Sequence, residues 1–379
     1  MTTTAPQPRQ ARARRVQSQS QFAVAWGQLR KNRLARIGGT FLLLLYALAL
    51  FAPFIAPDGL SNYSTTNITR FHPPTPIHIR NPETGGLTRP FVYQYGQQLN
   101  PDTFVNEFRP TETRCPIYLG VRGDSYRLLG LIPGNLHLFG TGNPDCKVYL
   151  FGGEALGRDL FTRTVYAAQI SLTIGVGAVL LSTVIGLFMG ATAAYFGGIA
   201  DTLIMRLVEV LASIPGLFLL ILLRAIFPQN LNPIFALYMI LGLLAFISWG
   251  GLARVVRGQL LSVREQDFVS AARALGAGNG RIMWRHMLPT MTTYVIVLLS
   301  LGIPGAILTE SGLSFLGIGA VEPYVSWGSL LSQAQEGGFS SITQRPWVLI
   351  PGFFIVLTVM CFQLLGDGLR DAFDPRKRQ

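Results

Sequence analysis

Six stretches of this 379-residue chain are long and apolar enough to cross a bilayer: residues 37–56, 170–196, 203–227, 234–256, 290–310 and 346–366. A membrane helix needs about 20 predominantly apolar residues. The pattern therefore predicts an all-α polytopic membrane protein with six transmembrane helices. The third stretch is the least uniform, because it holds Arg206, Glu209, Pro215 and Arg224. Arg206 and Glu209 are three apart on one helical face and are expected to form an intramembrane pair. Pro215 is expected to kink the helix, with neighbouring helices satisfying the freed carbonyl. Between the first two stretches, residues 57–165 are rich in Pro, Gly, Asn and Thr and carry short runs such as PFVYQY, CPIYLGV and KVYLF. Such runs between turn residues read as short strands, so a small, partly β insertion is expected between helices 1 and 2.

Charge orients these elements. Of 31 basic residues, eight precede residue 37 with no acidic residue among them, and four lie in the last ten positions. Basic residues beside apolar spans mark the cytoplasmic side. Six spans place both termini on that side, together with the loop 257–289, which carries Arg257, Arg264, Arg273, Arg281 and Arg285 against Glu265 and Asp267. The insertion 57–165 then lies outside; it holds ten basic and nine acidic residues, and long loops escape the charge rule. The expected organisation is a cytoplasmic tail and interfacial helix at 1–36, helix 1 at 37–56, the extracytoplasmic insertion at 57–165, helices 2–6 at 166–368, and a cytoplasmic tail at 369–379. Within the first segment, residues 22–36 mix apolar and basic positions, as a helix lying on the membrane surface would.

Composition narrows the function. The chain is 49% hydrophobic and 13% charged, where soluble domains carry about 25% charged residues. A net charge of +12 would suit nucleic acid, but the basic residues flank spans and no basic run interleaves with stacking aromatics. No nucleic-acid partner is expected. A P-loop ends in Gly-Lys-Ser/Thr, and Lys31, Lys147 and Lys377 do not follow a glycine. The histidines, His72, His78, His137 and His286, lack metal-ligand spacing, and no Gly-x-Ser-x-Gly elbow occurs. Neither a catalytic nor a metal site is expected. Cys361 falls in a span. Cys115 and Cys146 share the insertion and are a candidate disulfide if that segment faces an oxidising compartment.

The densest signal is in the cytoplasmic loop REQDFVSAARALGAGNGRIMWRHMLPT, residues 264–290. Residues 266–275 favour a short helix with Phe268, Ala272 and Leu275 on one face, Gly276 sits where a helix would end, and a second helical stretch stops before Pro289. Two short helices joined at a glycine could dock into another protein or rest on lipid headgroups.

This loop resembles the "EAA" loop of binding-protein-dependent ABC importer permeases, which runs Glu-Ala-Ala, three residues, Gly, nine residues, a usually apolar residue, any residue, Leu-Pro. Ala271, Ala272, Gly276, Leu288 and Pro289 match at the required spacing; Ser270 replaces the Glu and His286 takes the apolar place. Other segments resemble the C-type permease subunit of the dipeptide/oligopeptide/nickel branch, in order: LRKNRLARIG at 29–38, LGRDLFTRTVYAAQISLTIG at 156–175, MRLVEVLASIPGL at 205–217, ESGLSFLGIG at 310–319 and GDGLRDAFDPR at 366–376. The resemblance covers about 22–56 and 150–376 and says little about 57–150.

What the resemblance implies is a type I ABC importer permease fold in a bacterial cytoplasmic (inner) membrane. It implies a second homologous permease subunit, two ABC ATPase subunits and an extracytoplasmic solute-binding protein. Ser270, Ala271, Ala272, Arg273, Gly276, Leu288 and Pro289 would form the ATPase-coupling loop. No cofactor is expected on this chain; ATP and Mg would sit on the ATPases, so the chain is not itself an enzyme. The expected cargo is di- or oligopeptide, with nickel chelates or oligosaccharides as alternatives carried by the same machinery. A stand-alone secondary transporter and a membrane-embedded enzyme are the rival classes.

Overall fold

The computed structural model describes residues 21–60, 70–82, 84–99, 101, 106–143, 146–228, 232–335 and 338–374. The most basic parts of both tails, Arg9 to Arg15 and Arg376 to Arg378, lie outside the described residues.

Helix α1 (Gln21–Leu29) is followed by α2 (Arg33–Leu50), whose N-cap Asn32 accepts from the Ala35 N–H at 3.1 Å. Buried positions on α2 recur as Ala35, Gly38, Leu42, Leu45 and Ala49, the one-sided stripe of a helix seated on a bundle. Leu43 and Leu44 point outward, as lipid-facing residues do. After the short α3 (Ala52–Ile55) the chain enters the insertion.

There, β1 (His78–Arg80), β2 (Leu87–Leu99) and β3 (Asn106–Pro116) form an antiparallel sheet in the order β1-β2-β3, while β4 (Tyr118–Leu128) and β5 (Ile132–Gly140) form a separate antiparallel hairpin. Val92 lies opposite Cys115 in the sheet register, and both pack with Cys146 and Val148 into a small core. The hairpin is fixed to the end of the first span: the His137 ring hydrogen-bonds to the Ala56 carbonyl, and Asp124 accepts from the Gly59 N–H at 2.8 Å.

Helix α4 (Leu160–Phe196) has 37 residues, about 55 Å at the usual rise, longer than the bilayer core. It begins at Leu160, so the helical region starts before the expected boundary at 166. Asp159 causes this by capping the helix, accepting from the Phe161 and Thr162 N–H groups. Small residues let α4 approach α7 (Pro233–Arg264) closely. A Cβ at Gly190 would lie 2.6 Å from the Ala253 carbonyl, so only glycine fits this crossing.

Helices α5 (Gly198–Ser213) and α6 (Gly216–Ile226) occupy the third apolar stretch, bent by 94° at their break. The expected kink at Pro215 is a complete break. Ile214 and Pro215 both adopt extended backbone, as the proline ring and its missing N–H require. Among the described residues, five helices are long and apolar enough to cross a membrane, or six if α5 and α6 are one broken span.

Helix α8 (Asp267–Ala274) and the short α9 (Asn279–Arg281) follow α7. The second helical stretch of this loop is expected from the sequence to stop before Pro289. Instead it widens into a π turn at Ile282–Met287, tightens into a 3₁₀ turn at Leu288–Met291, and runs on into α10 (Thr292–Phe315). A π turn spares the carbonyl that the proline ring would strike in a regular helix. Helices α11 (Trp327–Leu331), α12 (Gly338–Gln344) and α13 (Ile350–Phe373) complete the chain. The main core joins α2, α4, α10, α11 and α13 around Leu45, Leu172, Ile307, Trp327 and Phe362.

Candidate coupling loop and exterior ion network

Helix α8 is held beneath the bundle by one residue. Val269 is fully buried among Val256, Leu260, Ile282 and Met287, with Ala272 and Ala277 packed at the edge of that cluster. Phe268 and Leu275, expected on one face with Ala272, are exposed, Leu275 by 88%, while Val269, one position on from Phe268, makes the inward contact.

The helix ends as its sequence requires. Gly276 has φ +76°, the left-handed conformation that glycine adopts freely. Its N–H bonds the Arg273 carbonyl at 3.0 Å and the Ala277 N–H bonds the Ala272 carbonyl at 3.1 Å, which together make a Schellman cap. The Tyr195 hydroxyl donates to Asn279 at 2.7 Å, and Arg264 donates to the Ala194 carbonyl at 3.0 Å, tying the loop to the end of α4. Ser270, Ala271, Arg273, Gly276 and Pro289 face outward, Ala272 is half-buried and Leu288 is buried. Exposed Phe268, Leu275 and Trp284 add an apolar crown.

At the opposite end of α4 lies an ion network. The Arg158 guanidinium donates to both Glu322 oxygens, at 3.1 and 2.9 Å, and to Glu154. Arg163 donates to the same Glu322 carboxylate at 2.6 and 3.3 Å, and its Nε lies 3.5 Å from Glu154. Gln333 donates to Glu154 at 2.8 Å. Glu154, Arg158 and Arg163 are buried, while Glu322 is half-exposed. Burial alone would raise the Glu322 pKa, but hydrogen bonds from Arg158 and Arg163 win and hold it below the usual carboxylate value. Beside this network Asp159 is raised to about 7, first by burial and then by the charge of Asp58.

A second buried carboxyl, Glu310 on α10, accepts from the Ser314 hydroxyl at 2.7 Å and lies within 3.5 Å of Ser171 and Ser311. Ser171 in turn accepts from the Trp327 N–H at 3.1 Å, so α4, α10 and α11 meet there. Neither the Arg158–Glu322 network nor Glu310 was singled out by sequence reasoning. Glu154 and Arg158, four apart, were the local signal; their other partners lie far away in the chain.

Of the remaining candidates, Arg206 donates to Glu209 at 2.7 Å on α5, where both side chains are exposed. Cys115 and Cys146 are paired, with Cα atoms 6.1 Å apart. Among the described residues no group of three or more His, Cys, Asp or Glu could hold a metal ion.

Residues 182–379, from the middle of α4 through the loop and α10 to the end, match the family described as the binding-protein-dependent transport system inner membrane component. The chain belongs to this family. Residues 20–74 also match the N-terminal TM domain of oligopeptide transport permease C. The oligopeptide transport system permease protein OppC of Haemophilus influenzae is 46% identical over 231 residues, covering 61% of this chain and 71% of that protein. The dipeptide transport system permease protein DppC of Bacillus subtilis is 33% identical over 357 residues, covering 94% and 86%. The inward-facing MetNI methionine ABC transporter has a TM-score of 0.41 at 20% identity, covering 56% of this chain and 97% of that one. Family membership makes the chain a multi-pass membrane protein of an ABC importer, consistent with the five or six apolar helices among the described residues.

Proposed function

We propose that this chain is the C-type permease subunit of an ATP-driven importer of di- or oligopeptides, in a bacterial inner membrane. The observation that carries the reading is α8 itself. It is a short helix pinned by Val269 and closed by Gly276, and it presents Ser270, Ala271, Arg273 and Leu275 outward. A rigid, exposed helix of this kind fits a cleft on another protein and transmits rigid-body motion. The names of the relatives, OppC and DppC, favour peptide over nickel chelates or oligosaccharides. The exposed pair Arg206–Glu209 neutralises itself on one helix, which gives no support to a secondary transporter.

In this reading α5 and α6 form one broken span, so six spans carry both termini to the cytoplasm and the type I importer topology follows. Residues 57–165, with their strands and the Cys115–Cys146 disulfide, lie outside in an oxidising compartment and face a solute-binding protein. A second homologous permease completes the pore, and two ATPases beneath hold ATP and Mg and perform the hydrolysis. The residues 264–289 seat in one ATPase. Ser270 stands where the family has Glu, so docking rests on shape and apolar contact rather than on a salt bridge at that position.

The test is affinity purification of the tagged chain from its native membrane in mild detergent, followed by mass spectrometry. Recovery of a second permease and P-loop ATPases is expected. Recovery of this chain alone would overturn the subunit reading.

A further inference from the structure

Helices α7 and α10 both pack along α4 but touch each other at few points. Between them lie two adjoining cavities of about 370 and 350 Å³, which share Leu244, Ser248 and Thr309. Along α10 the lining runs from Tyr294 to Gly312. Eighteen residue steps at about 1.5 Å each make about 27 Å, close to the hydrocarbon thickness of about 30 Å. The groove thus follows α10 through nearly the whole membrane.

Its lining has a particular chemistry. None of the described residues lining either cavity is charged. Among apolar walls it carries the hydroxyls of Ser182, Thr183, Ser248, Tyr294 and Thr309. Three of these already donate to their own helices: Ser182 to Val179 at 3.0 Å, Ser248 to Leu244 at 2.7 Å and Thr309 to Gly305 at 2.8 Å. A hydroxyl that has given away its proton still offers acceptor lone pairs. The groove therefore presents hydroxyl acceptors, with the Tyr294 phenol able to donate as well, and no fixed charge.

We infer that this groove between α7 and α10, floored by Ser182 and Thr183 of α4, is this chain's share of the solute path. The inference rests on the importer reading above. The groove suits a solute rich in amide N–H groups whose side-chain charge varies, because acceptor oxygens receive N–H donors while an uncharged wall neither traps nor repels either sign. Hydroxyls bonded to their own helix also occur on lipid-facing surfaces, so the test must separate water from lipid.

Ser248→Cys, Thr309→Cys and, on the exposed apolar face of α13, Phe353→Cys are each made in the full importer complex in membrane vesicles. Thiols are then titrated with a water-soluble methanethiosulfonate, with the unsubstituted chain as the blank for Cys361. A thiolate reacts only where water reaches it. The S248C and T309C thiols are expected to react at least about tenfold faster than the F353C thiol, and the transported peptide should slow that reaction. Ser248→Asp is expected to slow uptake of acidic peptides relative to basic ones by about tenfold, since a charge in a low-dielectric path acts strongly. If S248C and T309C react no faster than F353C while the unsubstituted complex shows ATP-driven uptake, the groove faces lipid and only this inference falls. If the unsubstituted complex shows no ATP-driven uptake, the importer reading fails and the inference with it.

Discussion

Arg163 and Glu322 stand 159 positions apart, yet the guanidinium of one donates to the carboxylate of the other at 2.6 Å. This contact, with Arg158 and Glu154, fastens the loop after α10 to the N-terminal end of α4. Removing one partner of a buried ion pair costs about 3–5 kcal/mol, because the other is left uncompensated. Arg158→Met is expected to lower stability by that amount in detergent, measured by denaturant unfolding. Glu322→Gln should cost a comparable amount, since it leaves the buried Arg158 and Arg163 sharing Glu154.

The same network sets one pH dependence. The Glu322 pKa is depressed, so its contribution is present above the usual carboxylate value and is lost as pH falls through the depressed one. Asp159 acts with the opposite sign. Its pKa is raised to about 7, so the folded state holds a proton that the unfolded state has released. Stability therefore falls as pH climbs from the usual carboxylate range through about 7. Asp159→Asn keeps a capping acceptor and removes the titration. Thermal melts between about pH 5 and 8 should slope downward for the parent and flatten in the variant.

Gly276→Val puts a β-branched residue at φ +76°, where a side chain strains the backbone by about 1–2 kcal/mol. The protein should insert normally and lose coupling, so that ATP hydrolysis by the complex continues while uptake falls at least about tenfold. Uptake and hydrolysis measured together decide it; normal uptake would remove the coupling role. Ala271→Arg, on the outward face of α8, should weaken co-purification of the ATPases.

Cys115 and Cys146 close a loop of sequence separation 31. The loop-entropy estimate assigns such a bond about 3–4 kcal/mol. A non-reducing peptide map should recover the two cysteines in one linked peptide. Replacing both with alanine should make residues 87–140 susceptible to protease before the membrane helices are. Two free thiols in protein from native membranes would contradict the pairing.

Much of the helical architecture was legible because membrane spans announce themselves by length and apolarity, and because Gly276 sits at a spacing that only a helix stop explains. The rest depended on contacts that local pattern does not encode. Pro215 was readable as a disturbance, but the 94° bend between α5 and α6 also reflects extended backbone at Ile214. The sequence placed Phe268, Ala272 and Leu275 on one face of α8 but did not pick out Val269 as the seated position, because eight residues are too few for periodicity to fix it. The partners of Arg158 and Arg163 at Glu322, and of Glu154 at Gln333, are more than 150 residues distant. Glu310 was passed over because its serine partners look like ordinary small residues in a span.

The central claim is that this chain moves peptide only as part of an ATP-driven complex. Its most direct test is uptake of a labelled oligopeptide into proteoliposomes holding this chain, its partner permease, the ATPases and the binding protein. The account predicts uptake that requires ATP and the binding protein and is abolished when the ATPases are omitted. Uptake by this chain alone, driven by an ion gradient and indifferent to ATP, would contradict it.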